Sequence, residues 1–187
     1  MTKTATRRHA LAGIAVLGAV PAFAQGRAAD KDNTLYMETK DGRITIQLRP
    51  DLAPKHVAQI KALAKRGFYD GIVFHRVIAG FMAQTGDPKG NGTGGSDLPN
   101  LPAEFTQTAF KRGTVGMARS SEPNSANSQF FICLGDASFL NNQYTVFGEV
   151  TSGMDVVDKI KKGDQARNGS VTNPDKIVRM RLASDAA

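Results

Sequence analysis

FHRVIAGFMAQTGDPKGNGTGG, residues 74–95, places a cation inside an apolar, strand-like run and ends in a glycine-rich tail. Arg76 lies within the run Ile72 to Val77. Five residues on, Phe81 and Met82 add large apolar surface, with Gln84 on the strand face of Met82. A guanidinium drawn into apolar surroundings needs partners or a ligand. A lone strand arginine ordinarily snorkels to water or pairs with an acid such as Asp87. Here Gln84, and further on Gln129 and Phe131, supply polar and aromatic company that snorkelling does not require. The segment is therefore read as a functional surface. Its tail, GDPKGNGTGG, lacks the GK[ST] ending and the apolar helix of a phosphate-binding loop, and is read as a flexible barrel connection.

Upstream, Leu35 to Lys40, the pair Asp41-Gly42 and Arg43 to Leu48 predict a β-hairpin with Ile44, Ile46 and Leu48 on one face. A helix follows from Pro54, with Val57, Ile60, Leu63 and Ala64 at helical spacing and Gly67 as the stop. Downstream come short β-like runs: Phe81 to Thr85, Thr114 to Ala118, Gln129 to Leu134 and Thr145 to Val150. A second short helix is expected over Met154 to Lys161. A last strand, Ile177 to Ala183, alternates Val178, Met180 and Leu182 with Arg179 and Arg181. Many short strands with two helices predict a mainly β fold, a closed antiparallel barrel, because closure removes sticky edges.

Residues 1–24 read as a signal peptide: Lys3, Arg7 and Arg8, then an apolar run from Ala10 to about Val20, then Ala22-Phe23-Ala24 before Gln25. The apolar run is shorter than the roughly 20 residues that cross a bilayer, so no stable insertion is expected after cleavage. The Arg7-Arg8 pair leaves both Sec and twin-arginine export open, with a periplasmic or secreted product. Residues 25–33 are expected to form a flexible leader, and 34–187 a single domain. Cleavage takes three basic residues from 24, leaving 21 against 17 acids and a formal charge of +4 where the precursor has +7. The basic residues are scattered among acids, which argues against a nucleic-acid partner. Cys133, the only cysteine, sits in FFICL and is read as a buried thiol. The three histidines form no Ser/His/Asp or metal-ligand spacing.

Three motifs in order, FHR with GFM-Q-GD over 74–87, GTVGMARS at 113–120 and PNSANSQFFI at 123–132, resemble the cyclophilin family of peptidyl-prolyl cis/trans isomerases. The resemblance extends from the first hairpin through VFGEV at 146–150 and the helix after it. It implies a cyclophilin-like barrel of about eight strands capped by two α-helices, no cofactor or metal, a monomer, and unfolded or partly folded proline-containing polypeptides as substrates. By the same resemblance Arg76 is the catalytic residue, and Phe81, Met82, Phe131 and Leu140 form the proline pocket. Gln84 fixes the peptide carbonyl, with His75 beside Arg76. Gln129, Ala118 and the backbone of Arg119 line the groove for residues before proline.

Two positions depart from many eukaryotic members. Phe139 stands where they carry a tryptophan, and Tyr144 where they carry a histidine at the groove edge. The first change removes an indole donor, so weak cyclosporin binding is expected. A proline-segment-binding chaperone in which turnover is incidental is the rival reading of the same groove.

Overall fold

The computed structural model describes residues 1–2 and 30–186. The leader over 3–29, with its cleavage site, lies outside the described residues. The Asp30 carboxylate caps a 3-10 turn, Lys31–Asn33, just ahead of the first strand. Strands β1 (Thr34–Thr39) and β2 (Gly42–Leu48) form the expected hairpin, with Gly42 at φ 134° in the turn. Ile44, Ile46 and Leu48 are buried. Helix α1 (Pro54–Lys65) begins on proline and buries Val57, Ile60, Leu63 and Ala64. It stops at Gly67, whose φ of 71° suits the left-handed turn there.

The remaining strands are β3 (Arg76–Ile78), β4 (Met82–Thr85), β5 (Thr114–Met117), β6 (Phe130–Cys133), β7 (Val146–Ser152) and β8 (Arg179–Leu182), with α2 (Met154–Lys159) between the last two. They form one mainly antiparallel sheet in the order β3-β4-β6-β5-β7-β2-β1-β8. Every ladder within it is antiparallel. The sheet curls toward closure, but no ladder joins β3 to β8. Instead, Val73, ahead of β3, and Arg76, its first residue, meet the segment before β8 through isolated bridges to Lys176 and Ser170.

The strand expected from Ile72 thus enters a ladder only at Arg76. Between the bonds from Phe74 N–H to Asp175 and from Val171 N–H to His75, the facing segment holds Pro174, which has no N–H to donate, and Asn173, at a positive φ of 50°. The last strand also differs from expectation. A bend puts Ile177 into the core and leaves Val178 52% exposed, while Met180 and Leu182 face inward as expected. Helix α2 ends before Lys161, whose N–H donates to the Asp175 carboxylate instead of continuing the helix. Cys133 is buried, and burial pushes its thiol pKa up to about 12.

One apolar cluster fills the inside of the sheet beneath α1 and α2. A second, made by Met82, Phe110, Phe131, Cys133, Ala137, Leu140 and Val146, lies on the other face of β4, β6 and β5. Strands β5 and β6 are consequently buried on both faces.

Candidate active site

Register assembles the site. Arg76 on β3 stands opposite Gln84 on β4, Gln84 opposite Phe131 on β6, and Phe131 opposite Gly116 on β5. Because side chains of paired residues leave a sheet on the same face, a cation, an amide and an aromatic ring emerge side by side. Gly116 completes the row with empty space: a Cβ there would lie 2.6 Å from the Phe110 ring and 2.7 Å from that of Phe131. In the next row Met82 pairs with Cys133.

Over these rows opens a groove of about 510 Å³. Of the residues expected at the site, His75, Arg76, Phe81, Met82, Gln84, Ala118, Arg119, Phe131, Leu140 and Tyr144 line it. Phe131 packs against Phe110 with ring centroids 5.8 Å apart and receives the edge of Tyr144 at 5.9 Å. Gln129 lines a neighbouring hollow of about 450 Å³, which shares Gln84, Ala118 and Arg119 with the groove. Phe139 lines neither and is 62% exposed, its ring tilted against Phe81 at 5.2 Å on the outer rim.

The polar groups form a connected set. Arg76 donates from Nη1 to Gln84 Oε1 at 3.2 Å, and Gln84 donates from Nε2 to Gln129 Oε1 at 3.0 Å. Gln129 in turn donates to the carbonyls of Gly92 and Gly94 at 3.1 and 2.8 Å. The glycine-rich connection is thereby tied to the site. It is also wound about the buried Asp87 carboxylate, which accepts from the N–H groups of Lys89, Asn91 and Gly92. Asp87 is occupied in this way and forms no ion pair with Arg76.

On its other edge Arg76 donates from Nε and Nη2 to the carbonyl and side-chain oxygens of Asn168, at 3.0 and 2.9 Å. Burial draws the Arg76 pKa down, against a smaller opposing effect of Tyr144, but a guanidinium starts so high that it stays charged. His75 is only 8% exposed, and neither ring nitrogen has a hydrogen-bond partner. Burial, opposed by Asp87 and reinforced by Arg76, holds its pKa below the usual imidazole range, so the ring is neutral at pH 7.

The Arg119 side chain is held at the groove edge. It stacks over Tyr144 at 4.5 Å and donates to the carbonyls of Gln143, Ser120 and Ser121. Arg167, Asn168, Ser170 and Val171, to which no sequence motif points, also line the groove, together with Gly90, Asn91 and Gly92. The available signal was Asn168-Gly169, a dipeptide suited to left-handed backbone.

The family profile described as cyclophilin type peptidyl-prolyl cis-trans isomerase matches residues 34–182. The chain belongs to the cyclophilin-type isomerases. A probable peptidyl-prolyl cis-trans isomerase of Brucella suis is 58% identical over 190 residues, covering 95% of this chain and 97% of the relative. A peptidyl-prolyl cis-trans isomerase of Helicobacter pylori is 44% identical over 131 residues, 68% of this chain and 80% of the relative. Among solved structures, a cyclophilin from Hirschia baltica superposes with a TM-score of 0.77 at 30% identity, covering 86% of this chain and 77% of that one. A Cryptosporidium parvum cyclophilin solved in the presence of the dipeptide Ala-Pro gives 0.73 at 27% identity, covering 80% and 98%. As a cyclophilin the protein is a peptidyl-prolyl cis-trans isomerase with a mainly β fold of eight antiparallel strands and two helices. Such an enzyme rotates a bond without breaking one.

Proposed function

We propose that this cyclophilin turns X-Pro bonds in unfolded or partly folded polypeptides by using Arg76 to stabilise the twisted amide. Rotation faces a barrier of about 18–20 kcal/mol because it destroys amide resonance. In the twisted state the prolyl nitrogen regains a lone pair and becomes a hydrogen-bond acceptor. A guanidinium beside an apolar pocket serves that state and not the planar one, which is the condition for lowering a barrier.

The observation that carries this reading is the cross-strand row, where Arg76 and Phe131 flank Gln84 on one face. Phe131, Met82 and Leu140 supply a pocket for the proline ring, and Gln84 can reach a peptide carbonyl while it holds Arg76. The dipeptide Ala-Pro named with the Cryptosporidium structure supports a proline-containing ligand for this groove.

The test is a proline-isomerisation assay. Arg76→Ala is expected to cut turnover by about a hundredfold, equivalent to about 3 kcal/mol, while weakening peptide binding much less. Arg76→Lys is expected to rescue little, since an ammonium lacks the planar fork. If folded Arg76→Ala turned over within about threefold of the parent, the groove would be a site that binds proline segments rather than one that turns them.

The basic, apolar and A-x-A stretches of residues 1–24 support the further reading that the substrates are exported polypeptides in a periplasmic or secreted setting. Mass spectrometry of fractionated cells tests it: a product beginning near Gln25 outside the cytoplasm is expected, and a cytoplasmic product retaining Met1 would overturn it.

A further inference from the structure

We infer that Asn168 is the positioning residue for Arg76, and that it works because it orients the guanidinium with neutral oxygens. The inference rests on Arg76 being the catalytic group.

Asn168 takes the whole Nε–Nη2 edge of the guanidinium, with its carbonyl oxygen on Nε and its Oδ1 on Nη2. This is the bidentate geometry that a carboxylate usually supplies. With Gln84 on Nη1, three of the five N–H donors of the guanidinium are held and two remain for a substrate. All the acceptors are uncharged. None of the ion pairs among the described residues involves Arg76. Its charge therefore stays unneutralised at the mouth of an apolar pocket, where it has most effect on a developing lone pair.

The chain goes to some length to present these two oxygens. Asn168 lies in the left-handed region, φ 53° and ψ 36°, which asparagine tolerates better than most residues and which points its carbonyl and its side chain the same way. The segment around it is fixed on both sides. Asp164 caps the 3-10 turn Gln165–Arg167, and its carbonyl accepts from Gly169 N–H at 2.8 Å. Gly169 then accepts from Val77 N–H at 2.8 Å, Val171 donates to the His75 carbonyl at 3.1 Å, and Gly163 donates to the Val77 carbonyl at 2.9 Å. Asn168 is thus stitched to the strand that carries Arg76. The loop closes only because Gly163 lacks a side chain: a Cβ there would overlap the Gly169 carbonyl oxygen.

The experiment is a double-mutant cycle. Asn168→Gly removes Oδ1 while keeping the backbone carbonyl and a φ that glycine adopts freely. Turnover is expected to fall about tenfold, the range for losing one hydrogen bond to a charged group, with the half-saturating substrate concentration within about twofold. In an Arg76→Ala background the same substitution is expected to change nothing further. Turnover of Asn168→Gly equal to the parent, or an equal loss in both backgrounds, would overturn the positioning role. If Arg76→Ala alone left turnover intact, the Arg76 reading would fail first, and that outcome is distinct from the other two.

Asn168→Asp keeps both acceptors and the left-handed conformation but adds a counter-charge. The NMR signals of the Arg76 Nη2–H groups are expected to stay sharp in this variant and to broaden in Asn168→Gly. Turnover of Asn168→Asp is expected to fall although the guanidinium is held. A parent-like rate in Asn168→Asp would overturn the requirement for neutral oxygens.

Discussion

Gln84 stands directly across the β3–β4 pair from Arg76 and accepts from its guanidinium at 3.2 Å. The same amide holds Gln129, and through it the carbonyls of Gly92 and Gly94. Gln84→Ala is therefore expected to lower turnover by about tenfold through Arg76, since hydrogen bonds to charged groups contribute about 1.5–3 kcal/mol. Because Gln129 is released as well, the half-saturating substrate concentration should also rise. Steady-state kinetics on a proline-containing peptide check both effects. A change in turnover alone would show that the Gln129 side of the network does not reach the substrate.

Gly116 sets the depth at which the Phe131 ring lies. In Gly116→Ala the new methyl must displace the ring of Phe110 or Phe131, and overpacking of this kind costs about 1–3 kcal/mol of stability. The expected signature is a lower unfolding temperature together with weaker substrate binding, read by calorimetry and kinetics on one preparation. Retained turnover at saturation would mark the pocket, not the charge, as the damaged part.

The exposed position of Phe139, tilted against Phe81, leaves room for an indole at the rim. Phe139→Trp is expected to tighten cyclosporin binding by up to about tenfold, one neutral hydrogen bond being worth about 0.5–1.5 kcal/mol. Parallel titrations of parent and variant decide it, and identical curves would move the Ser138–Leu140 turn away from the inhibitor.

Acid is expected to destabilise the fold through His56 and Glu104. The His56 ring is buried with Nδ1 2.6 Å from Glu104 Oε2, while Nε2 faces the core without a partner. A proton on Nε2 would be stranded, so the folded state holds a neutral ring that donates from Nδ1. Burial, outweighing the attraction of Glu104, puts the His56 pKa below its ordinary 6.5. For Glu104, burial opposes ionisation but loses to hydrogen bonds from the His56 ring and from the N–H groups of His56 and Lys55, so it titrates below 4.5. Both groups bind protons less readily folded than unfolded, so stability rises with pH. It should fall as pH drops below about 6.5 and again below about 4.5. Urea midpoints measured from pH 4 to 8 check the trend. In Glu104→Gln the lower limb should flatten and neutral-pH stability should drop, because this carboxylate also caps α1 in place of Ala53.

How far the sequence declares the fold follows from the range of the forces involved. The β1–β2 hairpin and α1 are local: Asp41-Gly42, the alternation of Ile44, Ile46 and Leu48, and the proline start carry their own geometry. Arg76 is legible because a guanidinium conflicts with an apolar strand run, whereas Gln84 and Phe131 are ordinary strand residues that gain meaning from its company and from the family resemblance. Strand β6, FFIC, shows no alternation, since apolar side chains cover both of its faces. The outward turn of Val178 carries no local signal: it sits at a bend where its N–H donates to the Glu38 carbonyl of β1. Asn168-Gly169 marks a turn but not its partner, since the contact with Arg76 spans 92 positions.

The isolated bridges at the seam give the enzyme a weak place beside its most demanding geometry. Continuous ladders open only together with the sheet, whereas a few separate bonds between residues 71–77 and 163–177 can part on their own. Fluctuations of that size cost far less than global unfolding and would carry Asn168 away from Arg76 while the rest of the barrel persists. Local opening at this seam is expected to remove activity before the fold is lost. On warming, the active population should shrink before the folded one does.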